Sequence, residues 1–180
     1  MSHNFHKRGD RKAPRPLDAA ALDMLALAYV GRYATTRARL GDYLRRKLRE
    51  RGWDGEGTPP VESIVARLAE LRYVDDAAFA EARGAALSRR GYGERRVAQA
   101  LAFAGVDEMD AAPARAAVKE NALDAALTFA RRKRIGPFAK SETGSDQRRK
   151  ALAAMLRAGH DLSVSRRIVA TPPGADVDPE

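Results

Sequence analysis

Large apolar residues recur along this chain at intervals of three and four. Leu22, Leu25 and Tyr29 make one such series, and Leu40, Leu44 and Leu48 a second. Ile64, Leu68 and Leu71 follow, then Val97 and Leu101. That spacing puts each series on one side of a helix with 3.6 residues per turn. Convincing period-two alternation, the mark of a half-buried strand, is absent. The intervening residues are rich in Ala, Leu, Arg and Glu, which favour helix, and poor in runs of Val, Ile, Thr and aromatics. An all-α fold is expected.

The pattern also repeats at longer range. Gly52-Trp53-Asp54, Gly105-Val106-Asp107 and Gly159-His160-Asp161 share the form Gly-x-Asp at near-equal spacing. Four residues before each glycine stand Leu48, Leu101 and Met155; eight before stand Leu44, Val97 and Ala151. Each unit reads as an amphipathic helix stopped by a glycine, which enters the left-handed conformation cheaply. The following Asp is suited to cap what comes next. Upstream of each lies a helix carrying an aromatic (Tyr29, Phe79, Phe129), and downstream a third helical stretch: 61–72, 109–119 and 162–169. The chain therefore divides into three tandem three-helix modules at 17–74, 75–120 and 121–170. A Gly/Pro loop at 55–60 and a polar loop at 141–146 read as surface insertions.

Charge adds a partner class. Among 180 residues there are 33 Lys+Arg and 24 Asp+Glu, a net charge of +9. Residues 1–16, with five bases and one acid, read as a flexible basic arm; 171–180, with three acids and no base, as a disordered acidic tail. A net charge of +8 therefore belongs to the folded part, which points to an acidic partner such as nucleic acid. With no cysteine there is no disulfide, thiolate–metal site or thiol nucleophile. No stretch approaches the roughly 18 apolar residues of a membrane span. A cytoplasmic protein is expected, with no membrane partner.

Candidate chemistry is sparse. Gly52, Gly55 and Gly57 follow a helix rather than a strand, so a phosphate loop is not expected. Gly91-Tyr92-Gly93 reads as a turn between helices. His3 and His6 sit in the arm, and His160 occupies a repeated turn, so neither metal nor cofactor is expected. Asp75 and Asp76 read as a helix cap rather than an acid–base pair. Phe79, Leu101 and Tyr73 are assigned to the core of the second module. Basic residues cluster at 45–47, 89–90, 95–96, 131–134, 148–150 and 166–167. Arg95-Arg96 and Arg149-Lys150 hold the same repeat positions, ten and nine residues before their glycines.

The stretch Leu71-Arg72-Tyr73-Val74-Asp75-Asp76, with Phe79-Ala80, Arg89-Arg90-Gly91-Tyr92-Gly93, Arg95-Arg96-Val97 and Leu101 to Asp107, resembles the RecX family of recombination regulators. Arg72 stands where that family usually has Gly. The resemblance implies three tandem three-helix repeats in an elongated, curved arrangement. It implies a non-enzymatic monomer that binds the RecA filament on single-stranded DNA and modulates its ATPase, strand exchange and co-protease action in the SOS response. The expected contact residues are Arg89, Arg90, Arg95, Arg96, Arg131, Arg132, Lys133, Arg149 and Lys150. The rival reading is a helix-turn-helix protein that binds DNA directly, and a weaker one a basic RNA- or ribosome-associated helical protein.

Overall fold

The protein is described here by a computed structural model covering residues 15–177. Nearly all of the basic arm, with His3 and His6, lies outside the described residues, as do the last three positions of the acidic tail. The described residues form nine α-helices: α1 Ala19–Val30, α2 Arg37–Arg51, α3 Val61–Glu70, α4 Asp76–Arg89, α5 Glu94–Phe103, α6 Glu108–Glu120, α7 Ala122–Lys133, α8 Ser145–Arg157 and α9 Leu162–Ala170. A single 3₁₀ turn, Gly136–Phe138, joins α7 to the loop before α8. Among the described residues β structure is confined to one isolated bridge, Leu17 to Trp53.

Local signals set the helix starts. Asp18, Thr36, Asp75, Asp107 and Asp161 each sit in extended backbone and accept a hydrogen bond from a backbone N–H in the first turn of α1, α2, α4, α6 and α9. These bonds satisfy donors that no helix can satisfy internally. Asp75 is thus the cap of α4. Asp76, its neighbour, does something else and is buried.

Three hydrophobic clusters follow one another along the chain. The first gathers Leu17, Leu22, Leu40, Leu44, Ile64, Leu68 and Val74. Each fully buried leucine there contributes roughly 1.5–3 kcal/mol relative to exposure. The second is built largely of alanine (Ala80, Ala104, Ala111, Ala114) around Leu87, Val97 and Leu101. Small residues let α4 and α6 approach closely: a Cβ on Gly84 would stand 3.5 Å from that of Ala114. The third joins Phe129, Ile135, Met155 and Ile168.

Four expectations need correction. Tyr73 is 58% exposed and Leu71 59% exposed. Helix α3 ends at Glu70, and the turn that follows buries Val74 instead, its N–H reaching the Leu68 carbonyl. Phe79 is partly buried against the second cluster rather than sealed within it, with the Arg39 guanidinium 5.4 Å above its ring. The polar loop before α8 is shorter than expected, since the helix already starts at Ser145. The tail is also not free along its described length. Gly174 donates its N–H to the Pro137 carbonyl at 2.9 Å, and Val177 packs against the third cluster.

The repeated glycines all take positive φ, at +83° for Gly52, +73° for Gly105 and +92° for Gly159. Two of them do more than stop a helix. The turn Ala104-Gly105 sits against the start of α2, where the buried Thr36 hydroxyl donates to the Ala104 carbonyl at 2.6 Å. A Cβ on Gly105 would lie 2.3 Å from that of Ala38. The turn Ala158-Gly159 sits in the same way against the start of α5. There Gly93 N–H donates to the Ala158 carbonyl at 2.9 Å, and a Cβ on Gly159 would lie 2.4 Å from the Arg96 nitrogen. Gly52 has no such neighbour. Its carbonyl accepts from Leu17 N–H at 3.0 Å, and Asp54 N–H donates to the Leu17 carbonyl at 2.9 Å.

Candidate functional site

At the first junction the carboxylates cluster on one arginine. Asp76 accepts from Arg37 twice, from its backbone N–H at 2.9 Å and from Nε at 3.2 Å. Asp110 also pairs with the Arg37 guanidinium, and Asp107 lies 3.9 Å from it. The Asp76 hydrogen bond is the main reason the Arg37 pKa is raised, so this arginine is a fixed cation. Asp75, one residue away, has its carboxyl held below the usual range by the Ala78 N–H and then by Arg72. That ion pair, at 2.6 Å, also accounts for Arg72 holding φ +61°, where glycine would be cheaper.

The second junction carries the nominated cations. Arg89 and Arg90 end α4, Arg95 and Arg96 begin α5, and Arg131, Arg132 and Lys133 end α7. Tertiary structure brings these three helix ends together: the Arg132 guanidinium donates to the Arg90 carbonyl at 2.7 Å and lies over the rings of Tyr92 and Phe129. Arg95 reaches Asp161 at 3.7 Å. Asp161 has its carboxyl lowered chiefly by the N–H and hydroxyl of Ser163, with Arg95 adding a smaller pull. Arg149 and Lys150 stand apart on α8, with Arg149 paired to Asp146 within its own helix at 3.1 Å.

All nine nominated side chains are exposed. They are not equivalent. Arg132 and Arg131 are spread over aromatic rings, the latter 4.9 Å from Phe138, and Arg132 ties α7 to the turn before α5. Arg89, Arg90, Arg96, Lys133 and Lys150 have no carboxylate partner among the described residues. Lys140, which sequence reasoning passed over, belongs with this group. It stands alone in a polar loop, and its convergence on Lys133 and Lys150 depends on tertiary structure.

His160 is 3% exposed and packs against Phe129, with ring centroids 5.6 Å apart. Its Nε2 lies 3.1 Å from the Gly91 carbonyl, an acceptor, so that nitrogen carries the proton. Burial pushes the imidazole below its ordinary value of 6.5, against the opposing pull of that carbonyl. It is a structural tie between the turn before α5 and the turn before α9.

Among the described residues no three His, Asp or Glu side chains gather as metal ligands would. No described helix is long and apolar enough to cross a membrane. A recess of about 570 Å³ between α4, α6 and α7 is walled mainly by alanines, among them Ala85, Ala114 and Ala125.

Known proteins resemble this arrangement in sequence and in fold. A family model described as the second three-helix domain of RecX matches residues 75–114. The regulatory protein RecX of Myxococcus xanthus (strain DK1622) is 33% identical over 170 residues, covering 90% of this chain and 91% of the relative. The regulatory protein RecX of Agrobacterium fabrum is 30% identical over 140 residues, covering 75% of this chain and 74% of the relative. Among solved structures, RecX from Lactobacillus salivarius superposes with a TM-score of 0.62 at 18% identity, over 84% of this chain and 94% of that one. A second crystal structure of regulatory protein RecX gives 0.60 at 22% identity, over 83% and 72%.

Proposed function

This chain belongs to the RecX family of regulatory proteins, and we propose that it is a non-enzymatic modulator of the RecA filament on single-stranded DNA. On this reading it works as a cytoplasmic monomer. Three modules, at 17–74, 75–120 and 121–170, each contribute one hydrophobic cluster and meet a row of identical recombinase protomers. Linked weak contacts of that kind add through high effective concentration. The observation that carries the reading is the gathering of cations at the second junction. Arg90, Arg95 and Arg132 lie at three helix ends joined by direct contacts, with Arg89, Arg96 and Lys133 beside them in sequence and exposed. A face of that kind engages an acidic surface or phosphates in a salt-dependent way.

The test is the DNA-dependent ATPase of RecA, with the protein titrated in at substoichiometric ratios. Strong inhibition well below one molecule per protomer is the expected result. Inhibition that appears only once the DNA is saturated would mean competition for phosphates, and no effect would sink the reading. Reversing charge with Arg95→Glu and Arg96→Glu should weaken filament binding by about tenfold or more at low salt. Helical circular dichroism should stay unchanged, because the lost Arg95–Asp161 pair is solvent-exposed on both sides. Unaltered binding of that variant would refute the assignment of this face.

A further inference from the structure

The end of α7, the loop before α8 and the outer face of α8 enclose a recess of about 450 Å³. Four cations line it: Lys133, Arg134, Lys140 and Lys150. No carboxylate lines it, and none of the four has an ion-pair partner among the described residues. Elsewhere the chain compensates its arginines. Arg37, Arg45, Arg67, Arg72 and Arg115 each face at least one Asp or Glu. Like charges gathered around one concavity repel, and folding gains nothing from them.

Arg134 sharpens the point. It sits at φ +54°, ψ +51°, in the left-handed region, as the residue that ends α7. A glycine there would carry no steric penalty. Arg72 in the same conformation has Asp75 as its partner, whereas Arg134 has none among the described residues. A strained backbone that presents an unpaired guanidinium to a basic recess points to a ligand that supplies the missing negative charge.

From this we propose that the recess binds phosphate groups, and that it takes them from the backbone of single-stranded nucleic acid. The hydroxyls of Ser141 and Thr143 line the same space and can donate to phosphate oxygens alongside a guanidinium and three ammonium groups. No aromatic side chain lines the recess, so bases are not stacked there and binding is independent of base sequence. The volume is that of a small-ligand pocket, which admits a stretch of single strand and excludes a duplex. The proposal deepens the filament reading by giving Lys133 and Lys150 a ligand, and it adds Arg134 and Lys140.

The experiment is fluorescence anisotropy of labelled oligo(dT) with the full-length protein and no recombinase, across a salt series. Failure here therefore leaves the ATPase test standing, and failure there leaves this one standing. The triple variant Arg134→Gly, Lys140→Ala, Lys150→Ala should lose about tenfold or more in affinity at low salt. The slope of log affinity against log salt should shrink by about 2, as for three lost phosphate contacts on a single strand. Arg134→Gly alone should bind more weakly while its melting temperature holds or rises, a combination that a structural role would not produce. Inorganic phosphate should displace the oligonucleotide. Unchanged binding by the triple variant would overturn the proposal. So would an equal loss when Arg32 and Arg49, both far from the recess in sequence, are replaced by Ala. A loss seen with polyglutamate and not with oligo(dT) would overturn it in favour of an acidic protein partner.

Discussion

The two junctions in this chain use the same glycine turn against the same part of the preceding unit, yet they are held differently. At the first, side chains do the work: the Thr36 hydroxyl reaches the Ala104 carbonyl, and Arg37 is held by Asp76, Asp107 and Asp110. At the second, backbone meets backbone. Gly93 N–H bonds the Ala158 carbonyl and Arg95 N–H the Gly159 carbonyl, with His160 adding one side-chain tie to Gly91. The difference follows from the residue that opens the receiving helix. Thr36 has a side chain that spans the gap, whereas Gly93 has none: a Cβ there would stand 2.3 Å from the Gly159 carbonyl oxygen. One repeat geometry therefore tolerates two chemistries, provided the turn itself stays glycine.

Replacing the three glycines one at a time is the sharpest way to break that comparison. Gly159→Ala should cost about 3 kcal/mol or more, because a positive φ adds to a clash with Arg96 backbone that nothing flexible can relieve. Gly105→Ala meets the Ala38 methyl and should cost about 2–3 kcal/mol. Gly52→Ala, with its nearest neighbour at 3.9 Å, should cost only the conformational penalty of about 1–2 kcal/mol. Denaturant unfolding of the three variants checks the order. Equal costs would mean that the glycines are helix stops and nothing more.

Asp76→Ala should cost about 2 kcal/mol by chemical denaturation, since it leaves the Arg37 N–H and guanidinium without their buried acceptor. The loss should fall on the first junction, so amides at the start of α2 should exchange faster while those of α5 do not. Phe79→Ala should cost about 2 kcal/mol, short of the ~3–5 kcal/mol for a sealed aromatic, because its ring is only partly buried. A larger loss of thermal stability would show that Arg39 and the ring are strongly coupled.

The smallest effect is a pH dependence confined to the second junction. The His160 imidazole is held below its ordinary pKa, so the unfolded chain takes up its proton first as pH falls. Stability should therefore be fully present above pH 6.5 and decline as pH drops below that ordinary value. Hydrogen exchange around Gly93 should accelerate between pH 7.5 and pH 5.5, and exchange around Thr36 should not. His160→Gln, which keeps a donor toward Gly91, should abolish that pH response. A response that persists in this variant would assign it to other groups.

Helix content, the repeat and the caps were legible in the residues because each rests on local chemistry. A 3.6-residue apolar period, an Asp or Thr before a helix and a glycine after one act within a few positions of the chain. The misreadings share one cause. Tyr73 and Leu71 continue an apolar pattern but fall past the end of α3, where a turn decides which side chain points inward, and Val74 takes the buried place. Phe79 lies on the right helix, yet how far it is buried depends on the neighbouring unit. The basic residues were visible as clusters, but a cluster does not say which cations are paired.

By itself, then, the sequence determined an all-helical chain of repeated units with surplus positive charge, since propensity, period and net charge are properties of short segments or of sums. Tertiary structure decided that the repeated glycines are contact points between units, that Asp76 and His160 are ties across them, and that Arg134 and Lys140 share a recess with Lys133 and Lys150. Those facts depend on groups far apart in the chain approaching within a few ångströms. Hydrogen bonds and steric exclusion act only at that range, and no local pattern encodes which distant atoms will meet.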